Sequence, residues 1–207
     1  MAALYRTQGI VLAKEDRLEA DRIFTVFTRD FGKVRLRAVS ERKITSKLRG
    51  GLELFCFSEI EFVQGRAYRT ITDCVALEGQ WHMRKSIARM RAMQRFADMA
   101  DMLLGGQEAE ERIWNLLRGA TVFLNKETID KQEWKVFAHH FFWNMIACAG
   151  YAPSIEAITR EDAFAARFIQ DLLVAEDSSS LASRMEGLNE EFLKTVAREH
   201  LSKVIES

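Results

Sequence analysis

The chain has 207 residues, with thirty Lys plus Arg against thirty Asp plus Glu and ordinary apolar and charged fractions. That length suffices for one large or two small cored domains, and the composition excludes a disordered or low-complexity chain. No apolar run approaches the eighteen residues of a membrane-spanning helix, and the N-terminus MAALYRTQGIVLAKEDR lacks the features of a secretory signal. Cys56, Cys74 and Cys148 stand far apart without a C-x-x-C pair, so they read as small buried hydrophobes in a reducing cytoplasm.

Up to residue 80 the pattern is strand-like. Leu4 to Ala13 carries GIVL, and Arg22 to Thr28 reads RIFTVFT, rich in β-branched and aromatic residues. TRDFGK supplies a hairpin turn in which Gly32 can take positive φ. KVRLRAV then alternates, placing Lys33, Arg35 and Arg37 on one face. Val34, Leu36 and Val39 turn to the other, with Ala38 marking the end of the strict rhythm. The loop ERKITSKLRGG follows, then LELFCFSEIEFVQG and AYRTITDCVALEG, divided by Gly65. Five strands with short turns in about eighty residues predict a small barrel.

From residue 81 the period becomes helical. Met83, Ile87, Met90, Ala97, Ala100 and Leu104 predict one helix that Gly105 and Gly106 stop. Ile113 to Leu124 gives a second, and Glu133 to Ala149 a third, apolar nearly all round and therefore central. Pro153 in GYAPS marks that helix's end. A fourth runs from about Glu161 to Glu176 with Thr159 as cap, and Ser178 to Ser180 form a loop. Asn189 caps a final helix striped by Phe192, Val196, Leu201 and Ile205. The predicted class is α+β, with a barrel domain over 1–80 and an all-helical domain over 81–207.

The neutral total conceals an uneven distribution. Residues 1–80 carry fourteen basic and eleven acidic side chains, a net +3, which leaves the remainder at −3. Between Arg29 and Arg49 eight cations face two acids. One reading is a solvated surface paired at its rim. The other is a phosphate track: Lys33, Arg35 and Arg37 on the strand face, then Arg42, Lys43, Lys47 and Arg49 on a mobile loop, with Thr45 and Ser46 as neutral donors. Neutralising about six phosphates would give a log–log salt slope of roughly −5. Gly50 and Gly51 permit close backbone approach or simply a turn. On MRKSIARMRAMQR a helical wheel brings Arg84, Arg91 and Arg95 within ~40° of one another. This second patch is either the wet side of an amphipathic helix or an extension of the track.

Catalytic signals are weak. Adjacent His139 and His140 point ~100° apart on a helix and cannot easily grip one ion, so a packed structural role is expected. The DFG at 30–32 lacks the lysine, HRD and glycine-loop context of a kinase. No nucleophile, base and oxyanion donor assemble in the sequence, and no enzyme is expected.

The initial TQGIVL strand, the EADRI turn, TRDFGK and the basic loop ending SKLRGG, in this order and spacing, resemble the N-terminal region of the RecO family of bacterial recombination mediators. GYAP after the central helix and a terminal amphipathic helix are compatible with it. The resemblance implies an OB-fold followed by a helical domain, in a cytoplasmic, nucleoid-associated protein that binds single- and double-stranded DNA and anneals complementary strands. It also implies action with RecR to load recombinase onto strands coated by single-stranded-DNA-binding protein. Lys33, Arg35, Arg37, Arg42, Lys43, Lys47 and Arg49 become the DNA-contact candidates. Many family members carry a four-cysteine zinc module soon after GYxP. GYAPSIEAITRED has none, so neither zinc nor another cofactor is expected. Where the family loop has a glycine, AVSER stands here. An adaptor whose helical half binds acidic tails, with DNA contact incidental, is the alternative in another class, and RNA the alternative ligand.

Overall fold

The computed structural model describes residues 3–17, 19–66, 68–104, 109–175, 177–185 and 187–206. Five strands, β1 (Leu4–Arg17), β2 (Asp21–Thr28), β3 (Gly32–Ala38), β4 (Phe57–Gln64) and β5 (Arg69–Glu78), form a closed barrel. Their order is β1-β2-β3-β5-β4, with β4 pairing back onto β1. This is the five-stranded connectivity of an OB-fold. Strand β1 serves both sides of the closure: Leu4 to Ile10 pair with β4, and Gly9 to Arg17 with β2. Closure between β3 and β5 is short and parallel, with Leu36 beside Arg69 and Arg37 beside Thr70.

The hairpin turn between β2 and β3 forms as TRDFGK predicts. Gly32 takes φ 59°, and the Thr28 hydroxyl accepts from Phe31 N (3.1 Å) and donates to Gly32 O (2.9 Å). Along β3 the period-2 reading holds for its cations, while Val34, Leu36 and Ala38 are buried. The expectation for Val39 fails. Ala38 keeps the inward rhythm to the end of the strand, and Val39 lies one residue beyond it, 48% exposed. The inward side chains, Phe24, Val26, Val34, Leu36, Leu52, Ile60 and Phe62 among them, fill the barrel. Cys56 and Cys74 are buried, and burial pushes the Cys74 thiol up to about 12.

The chain divides into two compact units, residues 1–127 and 128–207. The first includes α1 (Trp81–Arg84), α2 (Ile87–Leu103) and α3 (Glu111–Leu124) as well as the barrel. The single helix expected after residue 81 is broken, because Ser86 adopts an extended backbone and its hydroxyl caps α2 through Arg89 N (3.4 Å). The break resets the helical phase. Met83, Met93, Ala97 and Ala100 are buried, whereas Ile87 is 74% exposed. Gly105 and Gly106, read as the stop, lie outside the described residues. Asn125 fastens α1 to the barrel's last strand, accepting from His82 N and donating to Gly79 O, both at 3.0 Å.

In the second unit, α4 (Lys131–Cys148) starts with a capping box between Asp130 and Glu133. It ends as Gly150 N donates to Ala147 O and Tyr151 N to Ile146 O, a Schellman motif with Gly150 at φ 88°. Val136 and Trp143 of α4 are fully buried within this unit's core, as its apolar circumference requires. His140 is buried beside Asn144, whose amide donates to Leu172 O at 2.8 Å, a structural role. The predicted fourth helix is two, α5 (Ile155–Glu161) and α6 (Ala163–Val174). Thr159 does not cap; it lies inside α5 and donates to Ile155 O, while Ser154 and Asp162 supply the caps. Glu176 lies outside the described residues, and the serine run opens a 3-10 helix over Ser179–Met185. Asn189 caps α7 (Glu190–Glu206) through Phe192 N at 3.1 Å. Its buried residue is Leu193, which the predicted stripe leaves out; Phe192 and Val196 are half-buried against the same core, and Ile205 is exposed. No described helix is long and apolar enough to cross a membrane.

Candidate nucleic-acid interface

Barrel topology gathers three connections at one end. Strand β1 ends and β2 begins there, as Arg17 pairs with Asp21. The end of β3 and the start of β5 meet there too, through Arg37 and Thr70. The loop over residues 39–56 departs from the same place.

The predicted mobile loop is fastened. Ser40 N donates to Asp21 Oδ1 (2.8 Å), and Arg42 N donates to Ala20 O (3.1 Å). Glu41, 3% exposed, is paired with Arg22 at 3.1 Å, and Arg22 also reaches Asp16 at 2.7 Å. At the far end Leu52 and Phe55 are buried, and Phe55 N donates to Val11 O (2.8 Å). Gly51 serves this packing: a Cβ there would meet Cys74 Sγ at 2.5 Å and Cys74 backbone atoms at 3.1 Å. Gly50 has open space on that side. Anchored at both ends and by Leu48, which packs against the barrel core, the loop leaves its polar side chains on the surface.

The seven candidates fall into two groups. The strand cations share the outer face, but each meets a carboxylate: Lys33 with Asp101 (2.9 Å), Arg35 with Glu15 (2.8 Å) and Arg37 with Asp21 (2.6 Å). Lys33 also donates to Asp101 O (2.8 Å) near the end of α2, a helix with no basic residue in its own last turn. It thus caps exposed carbonyls and complements the helix dipole. Arg37 and Ser40 N hold one carboxylate together. The Ser40 N–H, followed by the Arg37 guanidinium, keeps the Asp21 carboxyl below the usual carboxylate range.

The loop cations differ. Arg42 stands 3.7 Å from Asp16, a loose pair in which both side chains are well exposed. Lys43, Lys47 and Arg49 are exposed and form no ion pair among the described residues. Ile44 stands almost fully exposed between Lys43 and Thr45.

The second patch separates. Arg84 belongs to α1, pairs with Glu53 (2.8 Å) and donates to Leu54 O (2.9 Å). The break at Ser86 takes it off the helix that carries Arg91 and Arg95. Those two are exposed one turn apart on α2 and unpaired among the described residues. Charge counting missed Arg17 and Tyr68 at the gathered end of the barrel, where the Arg17 guanidinium lies 4.7 Å from the Tyr68 ring centroid. The signal available was RAYR just after Gly65.

Residues 1–80 match the family model described as "Recombination protein O N terminal". The protein called DNA repair protein RecO in Dehalococcoides mccartyi (strain ATCC BAA-2100 / JCM 16839 / KCTC 5957 / BAV1) is 31% identical over 152 residues, 73% of this chain and 58% of the relative. Its namesake in Rubrobacter xylanophilus is 32% identical over 154 residues, 74% of this chain and 60% of that protein. In Moorella thermoacetica the figures are 27% over 157 residues, 76% and 57%. The N-terminal domain thus matches RecO, and the chain as a whole is similar to RecO proteins over about three quarters of its length, 73% and 74% in the first two of these comparisons. It spans less than two thirds of the length of these relatives. The closed barrel is the OB-fold of RecO, and the matched region contains the whole basic loop. Arg84, Arg91 and Arg95 lie beyond the RecO N-terminal match.

Proposed function

We propose that this chain acts in DNA repair and homologous recombination by holding DNA phosphates on the loop after β3, as a binding protein rather than a catalyst. The observation that carries this reading is the set Lys43, Lys47 and Arg49, exposed and without ion pairs among the described residues, on a loop whose ends are pinned to an OB barrel. Exposed cations that close no salt bridge among the described residues are available to displace counterions from a phosphate backbone. Fixing the loop's ends lowers the conformational entropy lost on binding. Arg42, only loosely held, joins them. The name of these relatives, DNA repair protein RecO, supports the same assignment.

Phosphate contacts leave base edges free. Two strands whose charge is neutralised on such a surface repel each other less, which gives a route to annealing complementary strands without nucleotide hydrolysis. RecR, single-stranded-DNA-binding protein and, through them, the recombinase are the partners this reading carries, in a cytoplasmic setting.

The test is affinity for a single-stranded and a duplex oligonucleotide as a function of salt, for the native chain and for the combined variant K43A/K47A/R49A. Removing three phosphate contacts should flatten the log–log slope by about 2 for the single strand and weaken binding about a hundredfold at 0.1 M salt. Equal affinity and slope in the two proteins would remove the loop from the reading. Exposed, unpaired Arg91 and Arg95 favour a second reading, an adaptor for acidic peptides. Tight binding of an acidic peptide, lost in R91A/R95A, with no binding to either oligonucleotide would select it.

A further inference from the structure

We infer that Tyr68, backed by Arg17, is a base-stacking subsite for single-stranded nucleic acid at the gathered end of the barrel. This deepens the DNA-binding reading and rests on it. Tyr68 immediately precedes β5, in the connection from β4. Arg17 is the last residue of β1, at the connection to β2. These are the two connections through which OB barrels engage oligonucleotides, and here they touch through a cation over an aromatic ring.

The geometry suits stacking. Tyr68 keeps 37% of its surface exposed, although a tyrosine ring packs readily into a core. Its place is set by the backbone: Gly65 N donates to Tyr68 O at 3.0 Å, closing the turn. A Cβ on Gly65 would come within 2.7 Å of the same oxygen, so a glycine is required for the approach. The Arg17 guanidinium lies 4.7 Å from the ring centroid and forms no ion pair among the described residues. A guanidinium over a ring restrains it and leaves a positive charge beside whatever stacks there. Arg66 is exposed two residues earlier and likewise unpaired. Arg42 joins the same end, since its N–H is bonded to Ala20 O in the β1–β2 connection. An exposed aromatic ring backed by one cation, with further cations at the same end of the barrel, is the chemistry that takes an unstacked base together with its phosphate. A duplex keeps its bases stacked on one another and offers the ring only its backbone. Tyr68 therefore supplies a preference for single strands that the loop cations cannot supply.

The experiment compares three probes of equal length at one salt concentration: oligothymidylate, the same backbone with abasic residues, and a duplex. Anisotropy is read for the native chain, Y68A, Y68F and R17A. The native chain should hold oligothymidylate roughly tenfold more tightly than the abasic strand, the effect of one stacked base. Y68A should lose that ratio, Y68F should keep it, and R17A should reduce it. The loss in Y68A should not extend to the duplex, whose continued binding also reports an intact fold. If the native chain and Y68A show the same ratio while both bind DNA, the stacking subsite is wrong and the phosphate reading stands. If the native chain binds no probe, both fall.

Discussion

Strand β3 and the loop that follows it carry cations at similar density in the sequence, yet the fold treats them oppositely. Lys33, Arg35 and Arg37 each meet a carboxylate brought by another element: Asp101 from α2, Glu15 from β1 and Asp21 from β2. Lys43, Lys47 and Arg49 meet none among the described residues. A strand built into a barrel wall is surrounded by other elements, here the paired strand β2, the strand β1 beyond it and the helix α2, and each can place an acid beside it. Among the described residues the loop has no such neighbours along its outer side: Leu48 packs against the barrel core, while Lys43, Lys47 and Arg49 around it stay exposed. Basic density along a sequence therefore says where cations are, and packing decides which of them remain available to a ligand.

The largest expected effect breaks this comparison directly. K33A/R35A/R37A should change the salt slope for DNA far less than K43A/K47A/R49A, because its cations are already neutralised within the fold. It should instead destabilise the barrel unit by about 2–4 kcal/mol, since it leaves the buried Asp21 carboxylate without its guanidinium. Urea unfolding alongside salt-dependent anisotropy separates the two. If the strand variant flattens the slope as much as the loop variant does, the ion pairs open on DNA and the division between the regions fails.

The barrel was legible because its signals are local. The alternation in KVRLRAV and the Thr28 and Gly32 chemistry in TRDFGK need only neighbouring residues to act. The ion pairs were not legible for the opposite reason: Lys33 and Asp101 are 68 positions apart, and only the packed helix joins them. The split helices were hidden by chemistry that reads two ways. Ser86 is neutral inside a helix and favourable as a cap, and its extended backbone chooses the second. Thr159 and Asp162 compete for one capping role, and the carboxylate takes it by accepting from Ala165 N. Of the seven predicted contact residues, the loop members keep the exposure that the charge count implied. The strand members show that a charge count cannot see the acids that other strands and a helix bring beside them.

A smaller effect concerns how the loop is aimed. D21A removes the acceptor for both Ser40 N and Arg37, at a cost of about 1–3 kcal/mol. DNA affinity should fall by less than in the loop variant, because the cations remain and only their positioning is lost. An affinity unchanged within twofold would mean that the pinned start of the loop is irrelevant to binding. The same carboxylate gives a pH test. Its folded pKa lies below the unfolded value of roughly 3.9. The stabilisation is therefore complete above about pH 4 and is lost as pH falls through the depressed value. The Ser40 amide resonance should titrate with a midpoint below the ordinary aspartate range, and a midpoint at or above it would contradict the fastening.

The smallest effect is expected at Arg35, and it tests whether pairing alone or pairing with burial sets the two regions apart. Arg35 and Glu15 are each more than half exposed, unlike Arg37 with its buried partner. Side chains so hydrated gain little from each other, so R35A should cost at most about 1 kcal/mol of stability. For the same reason the pair is the one on β3 that a phosphate can displace Glu15 from with least loss. E15Q, which frees Arg35 without removing it, should then strengthen single-strand binding slightly, by roughly twofold, and steepen the salt slope by less than 1. D21N should not do so, because Arg37 is held at the base of the loop and its release loosens the structure. If E15Q and D21N behave alike, burial is not what distinguishes the strand cations, and the face of β3 belongs to the DNA track after all.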